Sequence, residues 1–206
     1  MDDTKQAEPV TDHIETAAKT QELRPIRPEV DEQEKEAAFQ AGQEKVLQMI
    51  AANAPLAEIL TSLVLLIEAQ SAEMLCSVLL LSDDGNHIQH GAAPNLPSRY
   101  VEAVNGAPIG PKNGSCGTAM YRGEPVVVTD ILSDPLWEDY RELTDGTGLR
   151  ACWSTPIMSR RGKVLGSFAM YYRQPQAPTA VEARLTKIAT NIAGQAIEHY
   201  AAQQRS

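Results

Sequence analysis

The sequence predicts an α+β domain in which helices pack on a largely antiparallel sheet of five to six strands. Two pairs of β-type runs are joined by the short turns "DDGN" and "SRRG", which is typical of hairpins and hence of antiparallel pairing. Amphipathic helical patterns precede the first hairpin and follow the last, so the order differs from an alternating βαβ array. With 206 residues and 43% hydrophobic side chains, the chain can build one ordinary core.

The first 32 residues are predicted to be a disordered acidic tail, and residues 33–205 a single domain. The tail lacks a hydrophobic period and contains "RPIRP", whose prolines interrupt helices. Residues 1–36 carry eleven acidic and five basic side chains. A helix is predicted from about Glu32, because strong helix formers surround periodic apolar positions such as Phe39 and Val46.

The next segments predict a buried helix and a hairpin. "LAEILTSLVLLIEAQS" has a broad apolar face, as expected for a helix that packs on a sheet. "EMLCSVLLLS" and "HIQHGAA" are strand-like runs on either side of an Asp-Gly turn. "LPSRYVEAV" then predicts a short helix that Pro97 and Ser98 open.

The second half continues with a glycine-rich loop, a helix beginning near Ser115 and the strand "EPVVVTDI". "SDPLWEDYREL" is predicted to be a helix, with Ser133 or Asp134 as its cap. "RACWSTPIM" and "KVLGSFAMYYR" form the second hairpin. Thr179 followed by Glu182 has the spacing of a capping box, which predicts the start of a long terminal helix.

Four of these segments together resemble the GAF domain, especially the type that accompanies PAS and histidine-kinase domains in bacterial sensors. They are "GSCGTAMYRGEPVVVTDI", "DPLWEDYREL", "GLRACWSTPI" and "GKVLGSFAMYYR", and the resemblance covers roughly residues 43–202. It implies a central antiparallel sheet with the N- and C-terminal helices on one face. Loops and short helices would cover a ligand pocket on the other face.

The resemblance also implies which residues bind the ligand. A helix that begins near Ser115 leaves its first backbone amides without helical partners, and such amides suit an anion or a carbonyl oxygen. In the family this loop and helix border the cavity, and four aromatic side chains lie in the segments that would frame it. The predicted ligand-binding residues are Ser115, Cys116, Gly117, Thr118, Tyr121, Trp137, Tyr140 and Trp153.

Simpler interpretations of these residues stay open. The glycines around Cys116 could serve only to let the turn approach the sheet. Trp137 and Tyr140, three residues apart, could simply fix their helix to the core. On the strand "RACWSTPI", Ala151, Trp153 and Thr155 share one face, while Cys152 and its alternate neighbours share the other. Only one of these faces can meet the ligand.

The alternative function is a thiol enzyme of the kind found among free methionine sulfoxide reductases, which belong to the GAF family and carry a "GxCG" cysteine. The reductases use further cysteines before this loop and in a downstream loop. Here residues 91–115 contain no cysteine, and Cys152 falls within a strand. We therefore expect Cys116 to lack a resolving thiol, and we expect the chain not to be an enzyme.

No cofactor is predicted, and the small ligand is unknown. Haem bound through His90 and a covalent bilin are both disfavoured, and the pattern of cyclic-nucleotide-binding GAF domains is missing. Three cysteines without CxxC spacing disfavour a disulfide framework or a zinc site. The formal charge of −9 disfavours nucleic acid and anionic membranes as partners. Without a signal peptide or an apolar run long enough to span a bilayer, we expect a cytoplasmic protein.

The sequence thus favours a sensory GAF module of bacterial two-component signalling. In GAF domains the helices that correspond to 33–52 and 180–203 often form a parallel dimer bundle, so a homodimer is expected. The chain ends where sensor kinases continue, and a sensor kinase or another signalling protein is the expected partner. A third possibility is a domain that only dimerises, with its pocket filled by Trp137, Trp153 and Met120.

Overall fold

Five antiparallel strands form the centre of the domain in a computed structural model that describes residues 28–205, with side chains from residue 32. The strands are β1 (Leu75–Leu81), β2 (Ile88–Ala92), β3 (Val126–Val128), β4 (Ala151–Met158) and β5 (Val164–Tyr172). Their order across the sheet is β2-β1-β5-β4-β3. Both predicted hairpins are present, and the long β4 and β5 pair across the middle of the sheet. The predicted α+β class is confirmed.

Five α-helices surround the sheet within residues 28–205. They are α1 (Pro28–Ala51), α2 (Leu56–Glu68), α3 (Ser98–Val104), α4 (Gly114–Arg122) and α5 (Ala180–Gln203). α1 begins at Pro28 rather than near Glu32, which corrects the sequence-based boundary. A proline is tolerated at the first helical position, since its missing N–H would have no helical partner there. The rest of the predicted tail, residues 1–27, lies outside the described residues.

Helices α1, α2 and α5 cover one face of the sheet. Their apolar faces meet alternate side chains of the strands, including Val78 of β1 and Phe168 of β5. Leu60, Leu63 and Phe168 are fully buried there, and each such side chain contributes about 1.5–3 kcal/mol by leaving water. The capping box predicted for α5 is present, because Thr179 and Glu182 bond each other's backbone amides.

Shorter elements cover the opposite face. α3, α4 and the loops around them pack on the other set of alternate strand residues, including Cys152 of β4 and Tyr171 of β5. Tyr100 from α3 reaches Tyr171 in an edge-to-face contact, with ring centroids 5.7 Å apart. This face therefore has a separate core, which mixes aromatic, thiol and hydroxyl groups with aliphatic ones.

The segment "SDPLWEDYREL" is not the α-helix that the sequence predicts. It forms two 3₁₀ turns, Pro135–Trp137 and Arg141–Thr144, and Trp137 N–H donates to Asp134 O three residues earlier. Asp134 does act as the cap, since its carboxylate accepts from Leu136 N–H at 2.8 Å. A segment this short gains little from α-helix propagation, so packing of Trp137 against α4 decides its shape.

Candidate functional site

A small cavity lies between the start of α4 and the 3₁₀ turns, on the face that the short elements cover. Its volume is about 30 Å³, which is space for one or two water molecules. The lining comes from Ile88, Tyr100, Val104, Ala107, Pro108, residues 113–117, Trp137, Tyr140 and Leu143. The lining contains no Asp, Glu, Lys, Arg or His, and its polar side chains are those of Tyr100, Asn113, Ser115, Cys116 and Tyr140.

Ser115 joins the start of α4 to the Trp137 ring and to strand β4. Its hydroxyl accepts from the Trp137 indole N–H at 2.9 Å and donates to the carbonyl oxygen of Cys152 at 3.1 Å. These bonds place the start of α4 on strand β4 and hold the Trp137 ring beside it. Gly114 has φ +59°, a left-handed conformation that favours glycine, and a Cβ there would lie 3.7 Å from the Trp137 ring.

Asn113 closes the outer side of the cavity. Its side-chain amide donates to Pro108 O at 3.0 Å and to the Tyr140 hydroxyl at 2.8 Å. One side chain thus links the loop before α4 to the 3₁₀ turns. A Cβ at Gly117 would lie 2.9 Å from the Asn113 Cβ and 3.3 Å from Pro108 O, so this glycine allows the loop to pack closely. A ligand larger than a few atoms can enter only if these contacts open.

The predicted site residues divide into two groups. Ser115, Cys116, Gly117, Trp137 and Tyr140 lie together around the cavity.

Three predicted residues lie elsewhere. Thr118 is buried, but its hydroxyl accepts from the backbone N–H of Asn113 and does not line the cavity. Tyr121 is 58% exposed on the outer side of α4. Trp153 packs on the opposite face, which α1, α2 and α5 cover, and its ring is tilted against Tyr172 with ring centroids 4.8 Å apart.

The placement of Trp153 is a correction with a simple physical reason. Successive strand residues point to opposite faces, and Cys152 and Ser154 are the β4 residues that meet α4. The proposed filling of the pocket by Trp137, Trp153 and Met120 together is wrong for the same reason. Trp137 does line the cavity, and Met120 is buried in the same core.

Cys116 has chemically active neighbours that the sequence analysis missed. Its Sγ lies 3.0 Å from Ser154 Oγ and 3.5 Å from the Tyr171 hydroxyl. The Cys152 thiol lies 3.9 Å from the same Ser154 hydroxyl. The structure thus brings a second thiol close to Cys116, which the expectation of no resolving thiol does not anticipate. Strand alternation, which puts Cys152 and Ser154 on one face, was the signal that could have revealed this.

The two thiols differ in acidity. Hydrogen bonding with the Cys152 thiol, and then with the hydroxyls of Ser154 and Tyr171, lowers the pKa of Cys116 to about 7 despite its burial. Burial and the neighbouring Cys116 raise the pKa of Cys152 well above its usual range. Within this pair, Cys116 is thus the more acidic thiol and Cys152 is the thiol that keeps its proton.

The histidines of the first hairpin do not take part in this site. His87 and His90 are both exposed, and His87 Nδ1 lies 2.8 Å from a carboxylate oxygen of Asp84. Within residues 28–205, no group of three or more potential metal-binding side chains occurs. No helix in this part of the chain is long and apolar enough to cross a membrane.

Comparison with known proteins places the domain in a family. The family model described as "GAF domain" matches residues 53–198. The chain belongs to the GAF domain family. The methyl sulfide methyltransferase-associated sensor of Methanosarcina acetivorans is 39% identical over 157 residues, which make up 76% of this chain and 16% of that protein. The chain therefore spans a small part of the length of this curated relative.

Solved structures share the fold at low sequence identity. The GAF domain of a phosphoenolpyruvate-protein phosphotransferase from Coxiella burnetii has a TM-score of 0.64 and 19% identity, covering 82% of this chain and 97% of that one. Free methionine-R-sulfoxide reductase from Neisseria meningitidis, in complex with its substrate, has a TM-score of 0.60 and 14% identity, covering 82% and 93%. A GAF domain of a phosphotransferase and a methionine sulfoxide reductase thus share this architecture.

Proposed function

We propose that this GAF domain is a regulatory module that binds a small polar molecule between the start of α4 and residues 135–144. The single observation that carries the proposal is the cavity whose outer side Asn113 closes by bonding both Pro108 and Tyr140. Such a wall can open around a ligand by exchanging a few hydrogen bonds. The match to a protein named as a sensor supports a signalling role.

The chemistry of the lining suggests the class of ligand. The first backbone N–H groups of α4 carry partial positive charge and lack helical partners. The Asn113 amide, which bonds Pro108 O and Tyr140 in the closed arrangement, becomes a donor to the ligand when that wall opens, and the surrounding walls are largely apolar. A small anion or a molecule with a carbonyl oxygen suits this combination. A ligand that prefers an open arrangement of loop 106–113 would shift the domain toward it by its differential affinity.

Tryptophan fluorescence tests this proposal, because the chain has two tryptophans on opposite faces of the sheet. In Trp153→Phe, Trp137 beside the cavity is the only indole, and in Trp137→Phe the remote Trp153 is the only one. Nitrate and formate serve as anion probes and formamide as a carbonyl probe. We expect at least one probe to shift the Trp137 emission saturably, while the Trp153 emission stays unchanged. Unchanged Trp137 emission with every probe, or equal changes in both variants, would contradict the proposal.

A second candidate function is reduction of free methionine sulfoxide, favoured by the low pKa of Cys116 and the nearby Cys152 thiol. In that reaction two thiols and the sulfoxide give a disulfide, methionine and water. Incubation with methionine sulfoxide and dithiothreitol, followed by chromatography of the methionine formed, tests it. The enzyme hypothesis requires that Cys116→Ala abolish turnover, whereas a binding module would only change its ligand affinity.

We also propose that the module is a homodimer in the cytoplasm and acts on a signalling protein such as a sensor kinase. α1 and α5 pack together through the Arg184–Glu36 ion pair at 2.6 Å. Leu47 on α1 and Val181 on α5 stay 40% and 64% exposed, and these apolar side chains could meet a second copy. Light scattering during gel filtration should give a dimeric mass that Leu47→Glu lowers. A monomer at all concentrations would contradict the dimer.

A further inference from the structure

Thiol and hydroxyl groups form a buried cluster between α4 and the sheet. We refer to this set as the thiol–hydroxyl cluster, and its members are Ser77, Cys116, Cys152, Ser154, Ser167 and Tyr171. Each is at most 5% exposed. Three strands and one helix contribute to it, so the cluster depends on the complete fold.

The two thiols of the cluster face a common neighbour. The Ser154 hydroxyl lies 3.0 Å from Cys116 Sγ and 3.9 Å from Cys152 Sγ. The hydrogen bond from Ser115 Oγ to the Cys152 carbonyl oxygen holds the first turn of α4 directly on β4. The two cysteines are therefore neighbours in space although they are far apart in sequence.

Packing alone does not account for the polar character of the cluster. Buried hydroxyls usually have hydrogen-bond partners, because an unpaired one costs about 1–3 kcal/mol. Among the described residues, the Ser167 hydroxyl has no hydrogen-bond partner, yet it lies near enough to Cys116 to help lower the pKa of that thiol. The third cysteine, Cys76, lies among aliphatic side chains on the other face, and burial raises its pKa.

Cys116 connects the cluster to the cavity. Cys116 is one of the residues that line the space of about 30 Å³, together with Tyr100 and the first turn of α4, while its Sγ lies against the Ser154 and Tyr171 hydroxyls. That volume is too small for a nucleotide or an amino acid in the closed arrangement, but it suits a molecule with two heavy atoms. Hydrogen peroxide has this size, and the local amide and hydroxyl groups can bond its oxygens.

We propose that Cys116 and Cys152 form an oxidation site. Hydrogen peroxide or another small hydroperoxide would convert their two thiols into a reversible disulfide. The Cys116 thiolate attacks one peroxide oxygen, the O–O bond breaks, and hydroxide leaves and takes up a proton to become water. The product is a sulfenic acid at Cys116. The Cys152 sulfur then attacks the Cys116 sulfur, and the sulfenic oxygen leaves with the Cys152 proton as a second water. Two thiols lose two electrons, and the peroxide gains them.

The disulfide would change the elements that surround the cavity. It would join α4 to β4 covalently and remove the thiol that now lies against Ser154 and Tyr171. Since Ser115, next to Cys116, bonds the Trp137 ring, movement of the first turn of α4 also changes the 3₁₀ turns. Ligand binding in the cavity does not require this oxidation, so either can fail while the other holds. The methionine sulfoxide reaction, in contrast, would use the same thiol pair with a different oxidant.

Peptide mapping of the full chain tests the proposal. The reduced protein is treated with hydrogen peroxide, alkylated under denaturing conditions and digested with trypsin without reductant. We expect the peptides 113–122 and 151–160 to be joined, 2 Da lighter than their sum, while Cys76 in peptide 46–99 is alkylated. Dithiothreitol should restore both free thiols. Three alkylatable cysteines after treatment, or a disulfide that includes Cys76, would overturn the proposal.

Matched variants separate the two chemical steps. Cys152→Ser should stop the reaction at the sulfenic acid of Cys116, which dimedone traps, and Cys76→Ser should leave the 113–122 to 151–160 link unchanged. If Cys152→Ser fails to fold, peptide mapping of the natural sequence and of Cys76→Ser still decides. Trp137 fluorescence with the ligand probes is measured on reduced protein, so a missing disulfide leaves that test unaffected.

Discussion

The acidity of Cys116 predicts how stability changes with pH. The folded protein releases the Cys116 proton near pH 7, whereas the usual pKa of the thiol is 9.0. Between these values the unfolded state binds more protons, so the free energy of unfolding rises with pH. The contribution is complete above pH 9 and disappears as the pH falls through 7. Two pKa units correspond to about 3 kcal/mol.

The measurement compares the natural sequence with Cys116→Ser by urea unfolding in the presence of a reductant. Between pH 6.5 and 8.5, the difference in unfolding free energy between the two proteins should grow by about 2 kcal/mol in favour of the natural sequence. The comparison is needed because burial also raises the pKa values of Cys76, Cys152 and Tyr171. Those groups lower stability at still higher pH, and the variant retains their burial but loses the part of the Cys152 and Tyr171 shifts that Cys116 causes. A difference that does not change with pH would refute the low pKa.

Three further substitutions test the packing that supports the site. Gly166→Ala should destabilise the domain by at least about 3 kcal/mol in thermal unfolding, because the new Cβ would lie 2.1 Å from Leu79 O in the middle of the sheet; a change below 1 kcal/mol would contradict this packing. Glu68→Ala should cost about 2–3 kcal/mol in urea unfolding, since the Cys76 backbone N–H donates to its carboxylate at 2.7 Å and would lose that partner, and Glu68→Gln should recover part of the loss. Thr179→Ala should cost about 1 kcal/mol in the same assay through loss of the α5 cap, and Thr179→Ser should cost much less.

Local sequence signals predicted most of the secondary structure. The Asp-Gly turn and the flanking β-type runs predicted the first hairpin, because these residues specify both the turn and its position. The capping-box spacing of Thr179 and Glu182 predicted the start of α5. The segment "RPIRP" predicts a helix break that includes Pro28, although Pro28 begins α1. Proline is tolerated in the first turn of a helix but interrupts the helix interior. Composition alone does not reveal which of these positions a proline will take.

The site could be predicted only in part. The glycine-framed segment around Cys116 does line a cavity, because it forms the start of α4 at the edge of that space. The size of that cavity depends on how Trp137, Tyr140 and Leu143 pack together, and no local pattern contains this information. Strand alternation divides the β4 residues into two faces, but the sequence does not identify the face that meets α4. The choice between them depends on contacts distant in sequence, which placed Cys152 rather than Trp153 beside Cys116.

The alternation of strand residues links the stability of the fold to the chemistry of the site. Cys152 and Ser154 of β4 point to the face that α4 covers, while Trp153 between them points to the face that α1, α2 and α5 cover. A shift of β4 by one residue would put Trp153 under α4 and remove both polar groups from Cys116. The large apolar side chains under α1, α2 and α5 prevent that shift, because it would also bring Cys152 and Ser154 into their core. The packing on one face therefore fixes the position of the thiols on the other.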